Sequence, residues 1–340
     1  MILLSQYVER KVFSLDHVPF AMKLYQGGHT SATEAVSVAE MRGLMNEFFA
    51  HALHDDWKAL LEARISVRFP EGPRSAVIDA RNTQFEALND AITEFKSGYE
   101  PELTHLFDRL VPDDGVLLDI GANWGYFPIH LASRPGFHGH IHAFEPMPRP
   151  YGDLTRLVTQ LGLAKVIDCH RLALSDHAGE ASMGTGASVL SGLASLERGG
   201  DEVVTMRTVD SLGLDRVDFM KIDVEGHEEN VLRGAAAVID RDQPFIIAES
   251  WFVPGQEEKA LAPLRFLNEH GYQLYLLGWC GPDGNVFLRH GALTSSLFAM
   301  VPFHHPARVQ WPGMTNIFAC PTARMEQLHG ICVNIPAPPA

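Results

Sequence analysis

Two short segments hold most of the side chains able to do chemistry. In Leu118-Asp119-Ile120-Gly121-Ala122-Asn123-Trp124-Gly125-Tyr126-Phe127 an apolar run meets a glycine-rich turn and then a helix. Such a turn lets backbone approach a ligand closely, with the N–H groups of the helix start facing it. In Lys221-Ile222-Asp223-Val224-Glu225-Gly226-His227-Glu228 one cation and three carboxylates crowd the end of an apolar run. Strand alternation places Lys221, Asp223 and Glu225 on one face, and charges on a buried strand must pair with one another or meet a ligand. Asp223 falls at the carboxyl end of its strand, where open α/β sheets bind ligands. Asp223 and Glu225 are therefore expected at a site, with Lys221 as a structural partner. His227 is either a general base near neutral pH or a solvated residue of the first helical turn.

Other candidates lie at the ends of neighbouring strands. Glu145 follows Gly121 by twenty-four residues, at the end of the next strand, where an acid accepts bonds from ribose hydroxyls. Ser175 and Asp176 close a third strand near the position of an adenine amino group, although an Asp in a turn also bonds its own backbone. Glu249 and Ser250 end a fifth strand, and Glu249 either handles a hydroxyl proton or pairs with a buried base. A nicotinamide dinucleotide fits poorly. The G-x-G-x-x-G fingerprint puts glycines where Asn123 and Tyr126 stand. Asp119 would also point its charge at a diphosphate, whereas it suits the ammonium of a methionyl group.

The elements that must position these residues alternate. From residue 96, strands are expected at 116–120, 140–144, 166–174, 203–209, 219–224, 245–249, 272–278, 285–289 and 315–320, with helices at 125–133, 150–161, 227–239 and 257–270. Repeated βα units imply a doubly wound, Rossmann-like parallel sheet with helices on both faces. Residues 1–95 are expected to be mainly helical, a cap or a homo-oligomer surface, with stripes over 31–45, 48–61 and 85–95. An insertion at 290–314, holding His304, His305 and Trp311, is placed to act as a lid, and 322–340 reads as a poorly ordered tail.

Composition narrows the function classes. The 340 residues carry a formal charge of −15 and no run of Lys or Arg, which disfavours nucleic acid. No uncharged stretch approaches the ~20 apolar residues of a membrane helix. Cys169, Cys280, Cys320 and Cys332 are scattered, as in a reduced cytoplasmic protein. Neither they nor the His304-His305 pair predicts a metal site. A small-molecule acceptor is the expected partner.

The ordered set of motifs resembles the FkbM family of S-adenosylmethionine-dependent methyltransferases. The resemblance rests on Tyr99-Glu100-Pro101-Glu102, the 118–126 segment, Ala143-Phe144-Glu145-Pro146, Ala173-Leu174-Ser175-Asp176, Thr208-Val209-Asp210-Ser211-Leu212, the 221–228 segment and Ala248-Glu249. It covers residues 96–321 and implies a methyltransferase sheet of seven strands with the last antiparallel. It also implies methyl transfer, usually to a hydroxyl of a sugar, polyketide or other secondary metabolite. Carried over by residue, Asp119, Gly121, Ala122, Asn123, Gly125, Tyr126 and Glu145 hold the cofactor, while Asp223 and Glu225 face its reacting end. The rival classes are a noncatalytic nucleoside-binding module and a nicotinamide-dependent oxidoreductase.

Overall fold

The structure, a computed structural model, describes residues 7–10, 62–79, 82, 84, 99–184, 200–280, 286–287, 297–311, 313–331 and 333–334. Its centre is a sheet of ten strands among the described residues. The apolar runs found in the sequence form β4 (Val116–Ile120), β5 (His140–Phe144), β6 (Ile167–His170), β10 (Phe219–Ile222) and β11 (Phe245–Phe252). They lie side by side in the order β6-β5-β4-β10-β11, all parallel. Beyond them come β15 (Gly313–Pro321) and β12 (Tyr272–Cys280), with β15 antiparallel to both its neighbours. These seven strands are the expected doubly wound sheet with its last strand reversed. Three more extend or flank its far edge: β14 (Leu297–Phe303), β16 (Val333–Asn334) and β13 (Val286–Phe287).

Alternate strand residues enter opposite layers, as the pleat requires. Leu117, Ile141, Ala143, Phe219, Phe245, Ile247 and Phe318 face one core with α1 (Pro101–Leu110), α2 (Tyr126–Ala132) and α3 (Pro148–Gln160). Leu118, Ile120, Phe144, Met220, Ile222, Ile246 and Ala248 face the other, with α4 (Glu228–Arg233), α5 (Ala236–Asp242) and α6 (Glu257–Glu269). The central strands are buried on both sides, which is why they read as unbroken apolar runs.

Four expectations need correction. The described residues before 80 are strands rather than helix: β1 (Tyr7–Arg10), β2 (Glu62–Phe69) and β3 (Gly72–Asp79) form an antiparallel sheet. The Pro70-Glu71 break is the turn of a hairpin whose Ile65, Val67, Phe69, Ala76 and Ile78 alternate inward onto the first core. Asp153 of α3 fastens it, accepting from the Asp79 amide at 2.9 Å and from Asn82 Nδ2 at 2.9 Å. The strand expected over 166–174 is broken: β7 (Ala173–Leu174) joins a separate sheet with β8 (Gly179–Met183) and β9 (Glu202–Arg207).

The described part of the expected lid is no lid. Residues 297–303 are β14, in register with β12. Residues 305–310 form a 3-10 turn whose Arg308, fully buried, donates to Ser250 Oγ at 2.9 Å and to the Ser250 and Gly313 carbonyls. An apolar run capped by a buried guanidinium packs as sheet. The tail is ordered as far as it is described: 322–328 is a 3-10 helix and β16 pairs with β14. The helical stripes expected over 31–45, 48–61 and 85–95 lie outside the described residues.

Candidate active site

The carboxyl ends of β4, β5 and β10 open into one crevice, closed on its far side by residues 172–174 and Met183. Its floor is the turn after β4. The Gly121 and Ala122 amides donate to the Phe144 carbonyl at 3.0 and 2.9 Å, fastening the turn to β5. The Asp223 amide donates to the Ile120 carbonyl at 3.0 Å, fastening it to β10. Gly121 has φ +80°, and a Cβ there would lie 1.8 Å from the Asp223 carbonyl oxygen, so only glycine lets the two strand ends come this close. Asn123, at φ 49°, adopts the left-handed conformation that Asn tolerates better than most residues.

Glu145 sits where the second strand ends. Its carboxylate accepts from the Asn123 amide at 2.9 Å and the Met147 amide at 2.8 Å. Burial outweighs these donors and pushes its pKa up to about 7. Asn123 and Glu145 line the crevice together, with Phe144 and Leu174 supplying apolar walls.

Asp119 departs from expectation. Register pairs it with Lys221 on the adjacent parallel strand, so the two side chains share a face. Both are buried, with Lys221 Nζ 3.3 Å from Asp119 Oδ1 and 3.2 Å from Asp223 Oδ2, and donating to the Gly121 carbonyl at 3.0 Å. Burial alone would pull the Lys221 pKa down, but Asp119, Asp223 and Glu100 hold it above the ordinary value. Asp119 thus supports the turn from beneath and does not line the crevice. Lys221 has the structural role expected of it, with its Nζ 5.1 Å from the centre of the Phe127 ring.

The reacting end carries three acids. Asp223, Glu225 and Glu249 each bring a carboxylate oxygen within 4.8 Å of the others. Glu249 is also a hydrogen-bond acceptor for Trp251 Nε1 at 2.8 Å. Burial, with Asp223 and Glu225 close by, holds its carboxyl well above the usual range. Glu225 stands at φ 55° and Gly226 at φ 100°. The Val224 and Gly226 amides donate to Glu228 Oε1, which keeps this bend closed. Burial pushes Glu228 up to about 7.

Of the other expected residues, Gly121, Asn123, Glu145, Asp223, Glu225 and His227 line the crevice. Ala122 and Tyr126 are buried behind it; the Tyr126 hydroxyl accepts from the Tyr99 amide at 3.3 Å. Gly125 has φ +90°, and a Cβ there would lie 2.5 Å from Leu154 Cδ1, so it serves helix packing. Ser175 Oγ is 2.9 Å from His227 Nε2, which ties the end of β7 to the bend before α4. Asp176 turns to His177. Ser250, expected to face the crevice, is held by Arg308 instead. Tyr99 was not singled out for the site, yet burial and the nearby Glu100, Asp223 and Glu249 raise its pKa well above the ordinary value. Its place beside Glu100 in the Tyr99-Glu100-Pro101-Glu102 motif was the available signal.

Residues 119–274 match the family model of the methyltransferase FkbM domain. This segment is an FkbM methyltransferase domain. The match starts at Asp119 within β4 and ends in the first residues of β12, taking in every residue that lines the crevice. The AMB antimetabolite synthetase AmbE of Pseudomonas aeruginosa is 27% identical over 217 residues, 51% of this chain. The chain spans only 10% of the length of that curated relative. Among solved structures, an FkbM methyltransferase from Methylobacillus flagellatus is 18% identical, with TM-score 0.39, covering 61% of this chain and 44% of that one. A fibrillarin from Aeropyrum pernix with natively bound S-adenosyl-L-methionine is 15% identical, with TM-score 0.36, covering 75% and 93%. At such scores the likeness is coarse, and the fold assignment rests on the strand order of the chain itself.

The residues present fit S-adenosylmethionine, the cofactor that the family resemblance implies. The crevice joins a glycine floor that only a missing Cβ allows, apolar walls, one acid at the second strand and an anionic cluster at the other end. A cationic nucleoside matches that distribution. Among the described residues, no helix is long and apolar enough to cross a membrane.

Proposed function

We propose that this protein is an S-adenosylmethionine-dependent O-methyltransferase acting on a hydroxyl of a small secondary metabolite, sugar or polyketide. The observation that carries the reading is the asymmetry of charge in the crevice. A lone buried acid, Glu145, stands at one end, and Asp223, Glu225 and Glu249 crowd the other. When bound, the cofactor supplies an electrophilic methyl group on a sulfonium. Glu145 would accept the ribose hydroxyls, Gly121 and Asn123 would bring the backbone against the nucleoside, and Phe144 and Leu174 would offer apolar walls to the adenine. Asp223 and Glu225 offset the positive charge and orient the acceptor.

An acceptor hydroxyl would have to give up its proton, and one of Asp223, Glu225, His227 or Glu249 would receive it. Holding the two reacting atoms close and in line is the main contribution of the protein. The antimetabolite synthetase name of the Pseudomonas relative supports a secondary-metabolite acceptor. The acidic surface and lack of basic runs support a small molecule over nucleic acid.

Calorimetry with S-adenosylhomocysteine and with NAD tests the cofactor. Binding of NAD alone would end the reading. Transfer of labelled methyl to a panel of hydroxyl and amino acceptors tests the reaction. Label on amines only would refute oxygen as the acceptor, and binding without transfer to any member would leave a nucleoside-binding module.

A further inference from the structure

Away from the acidic cluster, β5 and β6 carry two similar triplets, His140-Ile141-His142 and Asp168-Cys169-His170. Register pairs His142 with Asp168 and Phe144 with His170. Ile141 and Ile167 enter the first core, so the four polar side chains share the opposite face. They meet closely there. His140 Nε2 is 2.9 Å from Asp168 Oδ2, and His142 Nδ1 is 3.2 Å from His170 Nε2. One ligating atom from each of His140, His142 and Asp168 lies within 4.8 Å of the other two.

We propose that His140, His142 and Asp168 form a binding site for a divalent transition-metal ion of the zinc type. Two imidazoles and one carboxylate are the donor set such an ion prefers, whereas calcium and magnesium take oxygen ligands. Ligating atoms around a tetrahedral zinc with bonds of about 2.0–2.1 Å stand roughly 3.3 Å apart, so modest rotation of these side chains closes the set. The His140 and Asp168 side chains are 34% and 52% exposed, which leaves the entry path open and room for a water ligand. His170 is the positioning residue: next to His142 Nδ1, it decides which nitrogen of that ring keeps its proton. The ion would brace a wall of the crevice. His170 stacks on Phe144 at 4.7 Å between centroids, and its carbonyl accepts from the Glu145 amide at 3.0 Å.

The test uses the full chain stripped with a chelator and titrated with zinc chloride by calorimetry, then with cobalt(II) followed by visible absorption. One equivalent should bind, with the intense bands of tetrahedral cobalt. His140→Gln at a half-buried position and Asp168→Asn at an exposed one should keep the circular dichroism of the parent and each weaken zinc at least tenfold. A double change of His304→Ala and His305→Ala should leave binding unaltered, separating this site from the other histidine pair. Failure of the parent chain to take up one equivalent, or unchanged affinity in folded His140→Gln and Asp168→Asn, overturns the proposal. The readout is metal uptake, so the result is independent of methyl transfer.

Discussion

Replacing Glu145 by Gln separates its charge from its shape. The wild-type carboxyl, with its pKa raised to about 7 by burial, is mostly protonated at pH 6 and mostly ionised at pH 8. If only the carboxylate accepts the ribose hydroxyls, the competent fraction rises from about one-eleventh to about ten-elevenths across that range. Affinity for S-adenosylhomocysteine then improves about tenfold. Glu145→Gln keeps the volume and one acceptor oxygen but loses the charge. It also sets an amide N–H₂ against a backbone N–H, either that of Asn123 or that of Met147. The loss of charge-assisted bonds is worth about 1.5–3 kcal/mol, roughly 10- to 150-fold in affinity at pH 8.

Stability supplies a second readout with its own sign. A carboxyl whose folded pKa lies above its unfolded value favours the native state at low pH and loses that advantage as pH rises. Between the ordinary 4.5 and about 7 the wild type should lose roughly 3 kcal/mol through this group, and the variant should not. Glu228 titrates over the same window, so the difference between the two proteins, rather than the wild-type slope, isolates Glu145. Calorimetry at pH 6, 7 and 8 and urea unfolding over pH 5–8 make the measurements. A wild-type affinity that is flat with pH, or a Glu145→Gln variant with the same slope, would refute the assignment.

Three further outcomes follow from the geometry. Lys221→Met leaves the fully buried Asp119 without its cation and should lower stability by about 3–5 kcal/mol in urea unfolding; a cost under about 1 kcal/mol would mean the pair contributes little. Gly121→Ala should cost more than about 4 kcal/mol, because its Cβ would strike the Asp223 carbonyl. Gly213→Ala, also at positive φ but with open space around it, should cost only about 1–2 kcal/mol, and equal losses would show that the close approach is unimportant. Glu249→Gln should reduce kcat about 10²-fold or more while S-adenosylhomocysteine affinity changes little; unchanged kcat would remove Glu249 from the proton path.

What could be read without coordinates was what local pattern encodes. Runs such as Val116–Ile120 and Phe245–Ala248 announce buried parallel strands because both their faces are covered. The glycine turn after the first strand and the acids at the ends of the others mark the carboxyl edge of the sheet. From these came the doubly wound fold, the methyltransferase domain and most of the crevice: Gly121, Asn123, Glu145, Asp223, Glu225 and His227. The β2–β3 hairpin was less legible, because its alternating Ile65-Ser66-Val67-Arg68-Phe69 follows directly on a stretch that reads as helix.

Pairing across long separations was decided only by the tertiary structure. Asp119 and Lys221 are a hundred and two positions apart in the chain and become neighbours through strand register, which turned an expected cofactor ligand into the buried half of an ion pair. Arg308 likewise removed Ser250 from the site. The histidines of β5 and β6 each stand in an unremarkable strand, twenty-eight residues from their partners. A cluster of that kind belongs to the register between two strands, and spacing within either one does not encode it.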